Sequence, residues 1–181
     1  MNQGKLIVST PSILGDFNFR RSVILLASHK TSGSIGFILN KKLNYKLNDI
    51  VEDINIKFPL FYGGPVEQDN LYFIHTSPEL IPNSIEIANG IYWGGDFKIV
   101  LGLINQGAIS SNDIKFFLGY SGWDENQLDS ELESRAWLVS KNTYKNSIVS
   151  KPGKTFWRDK MLEFGGDYSI WSNAPENPSY N

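Results

Sequence analysis

The chain has no cysteine, and that absence excludes disulfide staples, thiolate metal clusters and every mechanism built on a thiol nucleophile. Histidine is nearly as scarce. The two present, His29 and His75, lie 46 positions apart and offer none of the i, i+3 or i+4 spacing that sets two imidazoles on one helix face. No metal site is expected. Long apolar runs are missing too: the longest aliphatic stretch, Val23-Ile24-Leu25-Leu26-Ala27, is far short of the roughly 20 residues that cross a bilayer. The start, Met1-Asn2-Gln3-Gly4-Lys5-Leu6-Ile7-Val8, has no sustained apolar segment followed by a small-residue cleavage site. A cytoplasmic protein without membrane association is the expectation. Neither charge dominates, with 17 Lys and Arg against 19 Asp and Glu and a net charge of -2, so nothing global draws nucleic acid or anionic lipid. The phosphate-binding pattern G-x-x-x-x-G-K-[ST] is absent, and no cofactor is expected.

What is present suits a single domain. A chain of 181 residues, 41% hydrophobic and 20% charged, can bury about two-thirds of its unfolded surface in one core. That domain is expected over residues 1–171. From Ser172 onward Asn, Pro, Ser and Glu dominate, and 172–181 read as a flexible tail. Charge is unevenly placed: Lys141, Lys145, Lys151, Lys154, Arg158 and Lys160 crowd one stretch, and Asp124, Glu125, Asp129, Glu131 and Glu133 another. Such asymmetry can mark an interaction surface or simply two solvated faces of opposite sign.

Short β-branched or aliphatic runs predict strands at 6–9, 22–28, 36–40, 58–62, 70–76, 85–93, 114–120 and 137–139. His29-Lys30-Thr31-Ser32-Gly33-Ser34 reads as the link of a hairpin. Apolar positions at i, i+3, i+4 and i+7 predict a short helix over 47–54. Asp96 can cap a helix carrying Ile99, Val100, Leu103 and Ile104 that ends near Gly107. Asp124 and Gln127 resemble a capping box with the Asp124 carboxylate taking a first-turn N–H, and Thr155 can cap a last helix that ends at Gly165-Gly166. Strands in clusters separated by single helices, without regular βαβ alternation, indicate α+β.

Catalytic patterns are incomplete, and no catalytic residue is assigned. Gly119-Tyr120-Ser121-Gly122-Trp123 approaches the G-x-S-x-G nucleophile elbow but places Trp123 where the closing glycine belongs. His75 reads as a strand-end histidine hydrogen-bonded in place, and Gly63-Gly64-Pro65 as a conformational break or, through its N–H groups, an anion nest. Gln127 and Glu131 share a helix face one turn apart, beside Tyr120 and Trp123. An acid against aromatics can serve as a general acid or base; equally, Gln127 can cap the helix while Glu131 pairs with Arg135. Tyr144, Phe156 and Trp157 interleave the basic stretch as base-stacking residues would, yet Phe156 and Trp157 fall on an apolar helix face and read as core anchors.

The block Gly119 to Leu132, together with Phe61-Tyr62-Gly63-Gly64-Pro65-Val66, Gly15 to Leu26, Gly33 to Asn40, Ile74-His75 and Trp137, resembles the YqgE/AlgH family of bacterial proteins. The match runs from about Gly4 to Gly166. The resemblance implies a single α+β domain with a bent, partly barrel-like mixed β-sheet and about four helices, and a cytosolic protein often labelled a transcriptional regulator; it brings no agreed catalytic residues. The chain departs from the usual pattern at Ser34, where alanine is common, and at Lys41-Lys42, which replaces Arg-Pro.

Three readings follow. The first is a non-enzymatic binding protein, with a regulatory role through partners, using Gly63, Gly64, Pro65, Tyr120, Trp123, Gln127 and Glu131 as its surface. The second is an enzyme or small-ligand binder in which Asn40, His75, Gln127 and Glu131 converge in one pocket. Direct DNA binding through the Lys141 to Lys160 stretch ranks third, behind a protein partner or a small ligand.

Overall fold

The run Ile114-Lys115-Phe116-Phe117-Leu118 is aromatic and apolar at alternating positions on both sides, which favours an extended chain buried on two faces. In the computed structural model, which describes residues 3–174, it opens the ten-residue strand β9 (Ile114–Trp123) around which the sheet is arranged. The other strands are β1 (Leu6–Ser9), β2 (Val23–Lys30), β3 (Gly33–Ile38), β4 (Lys42–Lys46), β5 (Pro59–Tyr62), β6 (Val66–His75), β7 (Ile85–Ala88), β8 (Ile91–Trp93) and β10 (Trp137–Ser140). Four α-helices accompany them: α1 (Phe97–Asn105), α2 (Gln127–Glu133), α3 (Phe156–Phe164) and α4 (Asp167–Trp171). The ladder runs β10-β1-β2-β3-β9-β6-β8-β7, with β4 on β5. Only the β5–β9 pairing is parallel. The result is one α+β domain on a mixed sheet whose ladder stays open rather than closing into a barrel.

Period-two alternation sorts the side chains. Leu6, Val8, Leu25, Phe37 and Phe117 fall in one cluster, covered by Phe156, Trp157 and Met161 of α3. Their neighbours Ile7, Ile24, Leu26 and Ile38 face the other way, against Trp123, Leu128 and Trp137. Phe116 looks into a third cluster with Val100 and Ile104 of α1. Asp96 caps α1, its carboxylate accepting from the N–H groups of Lys98 and Ile99, as its position before an amphipathic stripe predicts.

Two glycine motifs meet where β9 changes partners. A Cβ on Gly63 would lie 2.1 Å from the Gly119 carbonyl oxygen, and one on Gly64, at φ +151°, 2.3 Å from the Tyr120 carbonyl. Only glycine lets these backbones approach so closely. The junction is closed by Gly63 N–H donating to Leu118 O at 2.8 Å, Ile38 N–H donating to Gly63 O at 3.0 Å and the buried Ser121 hydroxyl donating to the same oxygen at 3.0 Å.

Several expected elements take a different form. The 47–54 helix is reduced to a 3-10 turn at Leu47–Asp49. The Asp49 carboxylate accepts from the Lys46 N–H at 2.7 Å, a bond suited to a helix start, but the segment is too short to overcome nucleation. The 85–93 run is two strands, because Asn89 (φ 54°) and Gly90 (φ 76°) adopt the left-handed conformations of a tight hairpin turn. The 29–34 link is likewise absorbed into β2 and β3, leaving Thr31 and Ser32 between them. At α2 the bond joins the Asp124 N–H to Gln127 Oε1 at 2.9 Å, so Gln127 accepts and the Asp124 carboxylate does not cap. Thr155 donates to the Asp159 carboxylate at 3.0 Å rather than capping α3. Ser172 is buried and the Ala174 carbonyl accepts from Arg21; the rest of the expected tail lies outside the described residues. Among those residues no helix is long and apolar enough to cross a membrane.

Candidate functional site

The residues singled out in sequence do not share one cavity. His75 is fully buried; its Nδ1 accepts from the Ser77 N–H at 3.2 Å, which leaves the proton on Nε2 to donate to Gly94 O at 3.1 Å. Burial holds its ring below the ordinary imidazole range, against the Gly94 hydrogen bond. Gln127 and Glu131 do meet, at 2.8 Å, but as part of an internal network: the other Glu131 oxygen accepts from both indole N–H groups, Trp123 at 2.9 Å and Trp137 at 2.6 Å. Phe19 packs on both indole rings. Tyr120 packs edge-on against Tyr72, while Gly63, Gly64 and Pro65 turn the chain at the β9 junction. Ser121 and His75 are each bonded to backbone groups and not to one another.

Asn40 alone of these residues lines the main cleft of the molecule. Its Oδ1 accepts from Val23 N–H at 2.8 Å and its Nδ2 donates to Arg21 O at 2.8 Å, so it ties the 17–21 turn to the end of β3. The opposite wall is the 149–155 loop and the start of α3. The space between is about 1400 Å³, and eight of the molecule's cationic side chains line it: Arg20, Arg21, Lys41, Lys42, Lys115, Lys151, Lys154 and Arg158. Among the described residues no Asp or Glu does so. Eight of the chain's 17 basic residues thus face one cleft that no acid among the described residues enters. This is a field-focusing arrangement for anions despite the slightly negative whole.

Lys115 lies at the floor. The residue is 5% exposed, and its Nζ donates to Leu39 O at 3.4 Å and Lys151 O at 3.3 Å and sits 4.4 Å from the Phe61 ring centre. Among the described residues no carboxylate reaches it, and burial pulls its pKa down to about 8. Lys41 is also lowered to about 8, by desolvation first and the Arg20 charge second, with Asp16 opposing. Its Nζ is held by Asn18 O at 2.6 Å and Phe17 O at 3.3 Å. The contrast is Lys160, fully buried yet paired with Glu163 at 2.6 Å. A buried ammonium without a counter-charge is costly. In Lys115 that cost falls at the bottom of a solvent-reachable cleft, where an incoming anion can offset it.

Comparison with known proteins fits this architecture. A family model described as AlgH-like matches residues 6–169. The chain belongs to the AlgH-like family. A UPF0301 protein of Cytophaga hutchinsonii is 39% identical over all of both chains, and one of Bacteroides thetaiotaomicron is 40% identical over 99% of this chain and 91% of its own. Among solved structures, a Corynebacterium diphtheriae protein has a TM-score of 0.75 at 22% identity, covering 96% of this chain and 93% of that one. The AlgH protein of Pseudomonas aeruginosa has a TM-score of 0.72 at 22% identity, covering 95% and 93%. At that identity the two structures establish the AlgH-like fold alone.

In this AlgH-like chain the basic stretch noted in sequence divides. Lys151, Lys154 and Arg158 reach the cleft, Lys160 turns inward, and Phe156 and Trp157 are core residues at 1% and 4% exposure. Arg20, Lys41 and Lys115 were not among the sequence candidates. The one sequence signal for Lys115 is a lone lysine inside an apolar strand. The cleft walls touch at Gly153, where an added Cβ would lie 2.8 Å from Asn40 Cα. Gly153→Ala should therefore lower stability by about 1–2 kcal/mol through overpacking, measurable by urea denaturation; an unchanged midpoint would show that the loop yields freely.

Proposed function

We propose that the protein is a non-enzymatic binding protein for phosphate- or carboxylate-bearing anions, held in the cleft between Asn40 and the 149–155 loop. The observation that carries this reading is that, among the described residues, the cationic lining holds no acid and its deepest member, Lys115, is buried with no carboxylate partner. A bound anion would supply the missing counter-charge, and Arg20, Lys42, Lys154 and Arg158 would hold it from the rim. A regulatory role, in this reading, follows the occupancy of the cleft. The Gly63 to Pro65 and Tyr120 to Glu131 segments then serve the fold that positions the site. Loss of partner capture in Trp123→Ala or Glu131→Ala would report unfolding as readily as a docking surface.

Titration with inorganic tripolyphosphate, followed by thermal unfolding and calorimetry at low ionic strength, tests the reading. At a hundredfold excess over Kd the melting temperature should rise by about 5–10 °C. Lys42→Glu combined with Lys154→Glu, both exposed and on opposite walls, should fold normally and lose most of that shift. No shift in the wild type, or an equal one in the double variant, would remove the cleft as an anion site.

A further inference from the structure

The size and furnishing of the cleft narrow the class of anion. Small-molecule sites occupy about 300–1,000 Å³ and enclose their ligand in apolar walls. This one, at about 1400 Å³, is larger and is lined by cations from four separate segments of the chain, at 20–21, 41–42, 115 and 151–158. Setting the eight cleft cations aside leaves nine Lys and Arg against 19 Asp and Glu, so the rest of the chain carries a net charge of -10. On net charge the rest of the chain repels a long polyanion, and the cleft attracts it.

One aromatic residue at the cleft has no role in the core. Phe17 is 78% exposed, with the Arg20 guanidinium carbon 4.9 Å from its ring centre. The turn that presents it is fixed on both sides: the Asp16 carboxylate accepts from Asn18 N–H at 2.8 Å and Phe19 N–H at 3.3 Å, and the Lys41 ammonium bonds the Phe17 and Asn18 carbonyls. A water-exposed ring stacked with a guanidinium, on a hydrogen-bonded turn at a cationic cleft, is the combination by which proteins hold unpaired bases and their backbone. Duplex readers instead insert a helix or ribbon into the major groove. The helix at this cleft, α3, turns Phe156, Trp157 and Met161 into the core and presents Arg158 at the rim.

We infer that the cleft binds single-stranded nucleic acid, its phosphates running along the cationic lining past Lys115 and one base stacking on Phe17. This rests on the anion-binding reading above and adds the aromatic contact to it.

The test is fluorescence anisotropy with a labelled oligopyrimidine of about twelve nucleotides, as DNA and as RNA, between about 50 and 200 mM salt. With about five phosphates engaged, log K should fall against log salt with a slope near -3.5, and Lys42→Glu with Lys154→Glu should reduce that slope by about 1.4. Phe17→Ala, at so exposed a position, should melt like the wild type yet bind the oligonucleotide about tenfold more weakly, with Phe17→Trp restoring affinity. Its affinity for tripolyphosphate should not change. Tighter binding of the matching duplex, or an oligonucleotide affinity untouched by Phe17→Ala, would overturn the inference while leaving the anion site standing. Failure of both tripolyphosphate and oligonucleotide to bind would remove the two together.

Discussion

Lys115→Met is expected to unfold at a higher temperature than the wild type and to bind anions more weakly. The native pKa of Lys115 is lowered from 10.5 to about 8 by burial, and at 1.36 kcal/mol per unit the charged form costs the fold about 3 kcal/mol. Methionine keeps the aliphatic stem against Phe61 and removes the charge. It also strands the Leu39 and Lys151 carbonyls, whose bonds to Nζ are long at 3.4 and 3.3 Å, which returns about 1–2 kcal/mol of the gain. The net is about 1–2 kcal/mol of added stability, or about 3–6 °C for a chain of this length. A lower melting temperature would mean that Lys115 is a structural tether. Unchanged tripolyphosphate binding would exclude it from the site.

The same residue gives stability and binding opposite pH dependences. Because Lys115 and Lys41 have folded pKa values near 8, below the unfolded value of 10.5, the unfolded chain binds more protons between those two pH values. Their unfavourable contribution is complete below about pH 8 and is relieved as pH rises toward 10.5, so their share of stability increases across that window. Anion binding needs the protonated forms, and affinity should fall about tenfold at pH 9 for each of the two groups that the ligand engages. Titrations at pH 7 and 9 in wild type and Lys115→Met separate the contributions, since the variant should lose about half of the dependence.

Glu131→Ala should be the more damaging change. Its carboxylate is the acceptor for the Trp123 and Trp137 indole N–H groups, whose residues are 5% and 3% exposed. Without it two buried donors go unsatisfied at about 1–3 kcal/mol each, and the junction of β9, α2 and β10 loses its centre. A loss of about 3 kcal/mol or more is expected in urea, with Glu131→Gln costing about 1–2 kcal/mol: one amide oxygen can still accept both indoles, but the new amide NH2 faces the Gln127 Nε2 donor, whose Oε1 is held by the Asp124 N–H. An alanine variant as stable as the wild type would show that water replaces the carboxylate.

The sheet was readable in sequence where burial imposes a pattern. β1 and β9 announce themselves by continuous apolar runs, as strands buried on both faces do, and α1 by the Asp96 cap before its stripe. Legibility ends where long-range backbone geometry decides. The glycines at 63, 64 and 119 declare a break, but that they share one junction depends on the parallel pairing of β5 with β9, which no local signal specifies. The same limit applied to the site. Pattern reading favoured the motif-rich Tyr120 to Glu131 block, and the fold spends its polar groups internally on the two indoles. The cleft draws one to three cations each from the 17–21 turn, the 40–44 segment, β9 and the 149–158 region, which are separated widely in the chain. A few cations in each are unremarkable until the sheet brings them together. Of the residues expected for a pocket Asn40 reaches the cleft, where it acts as a brace, beside Lys151, Lys154 and Arg158 of the basic stretch.

Strand β1 has a consequence for how the chain is made. It pairs on one side with β2 and on the other with β10, Leu6 opposite Ser140, and the Ser9 carbonyl accepts from the Trp157 indole at 2.8 Å. Strand β1 therefore waits for a partner synthesised long after it. Until Trp137–Ser140 has left the ribosome, the apolar run Leu6-Ile7-Val8 has an unpaired edge, and until α3 follows, one face of it stays uncovered. Such non-local closure makes folding slow and leaves incomplete chains prone to association. Fragments ending before β10 should collect in the insoluble fraction or on chaperones, and the domain should acquire protease resistance in a single step after residue 157 emerges.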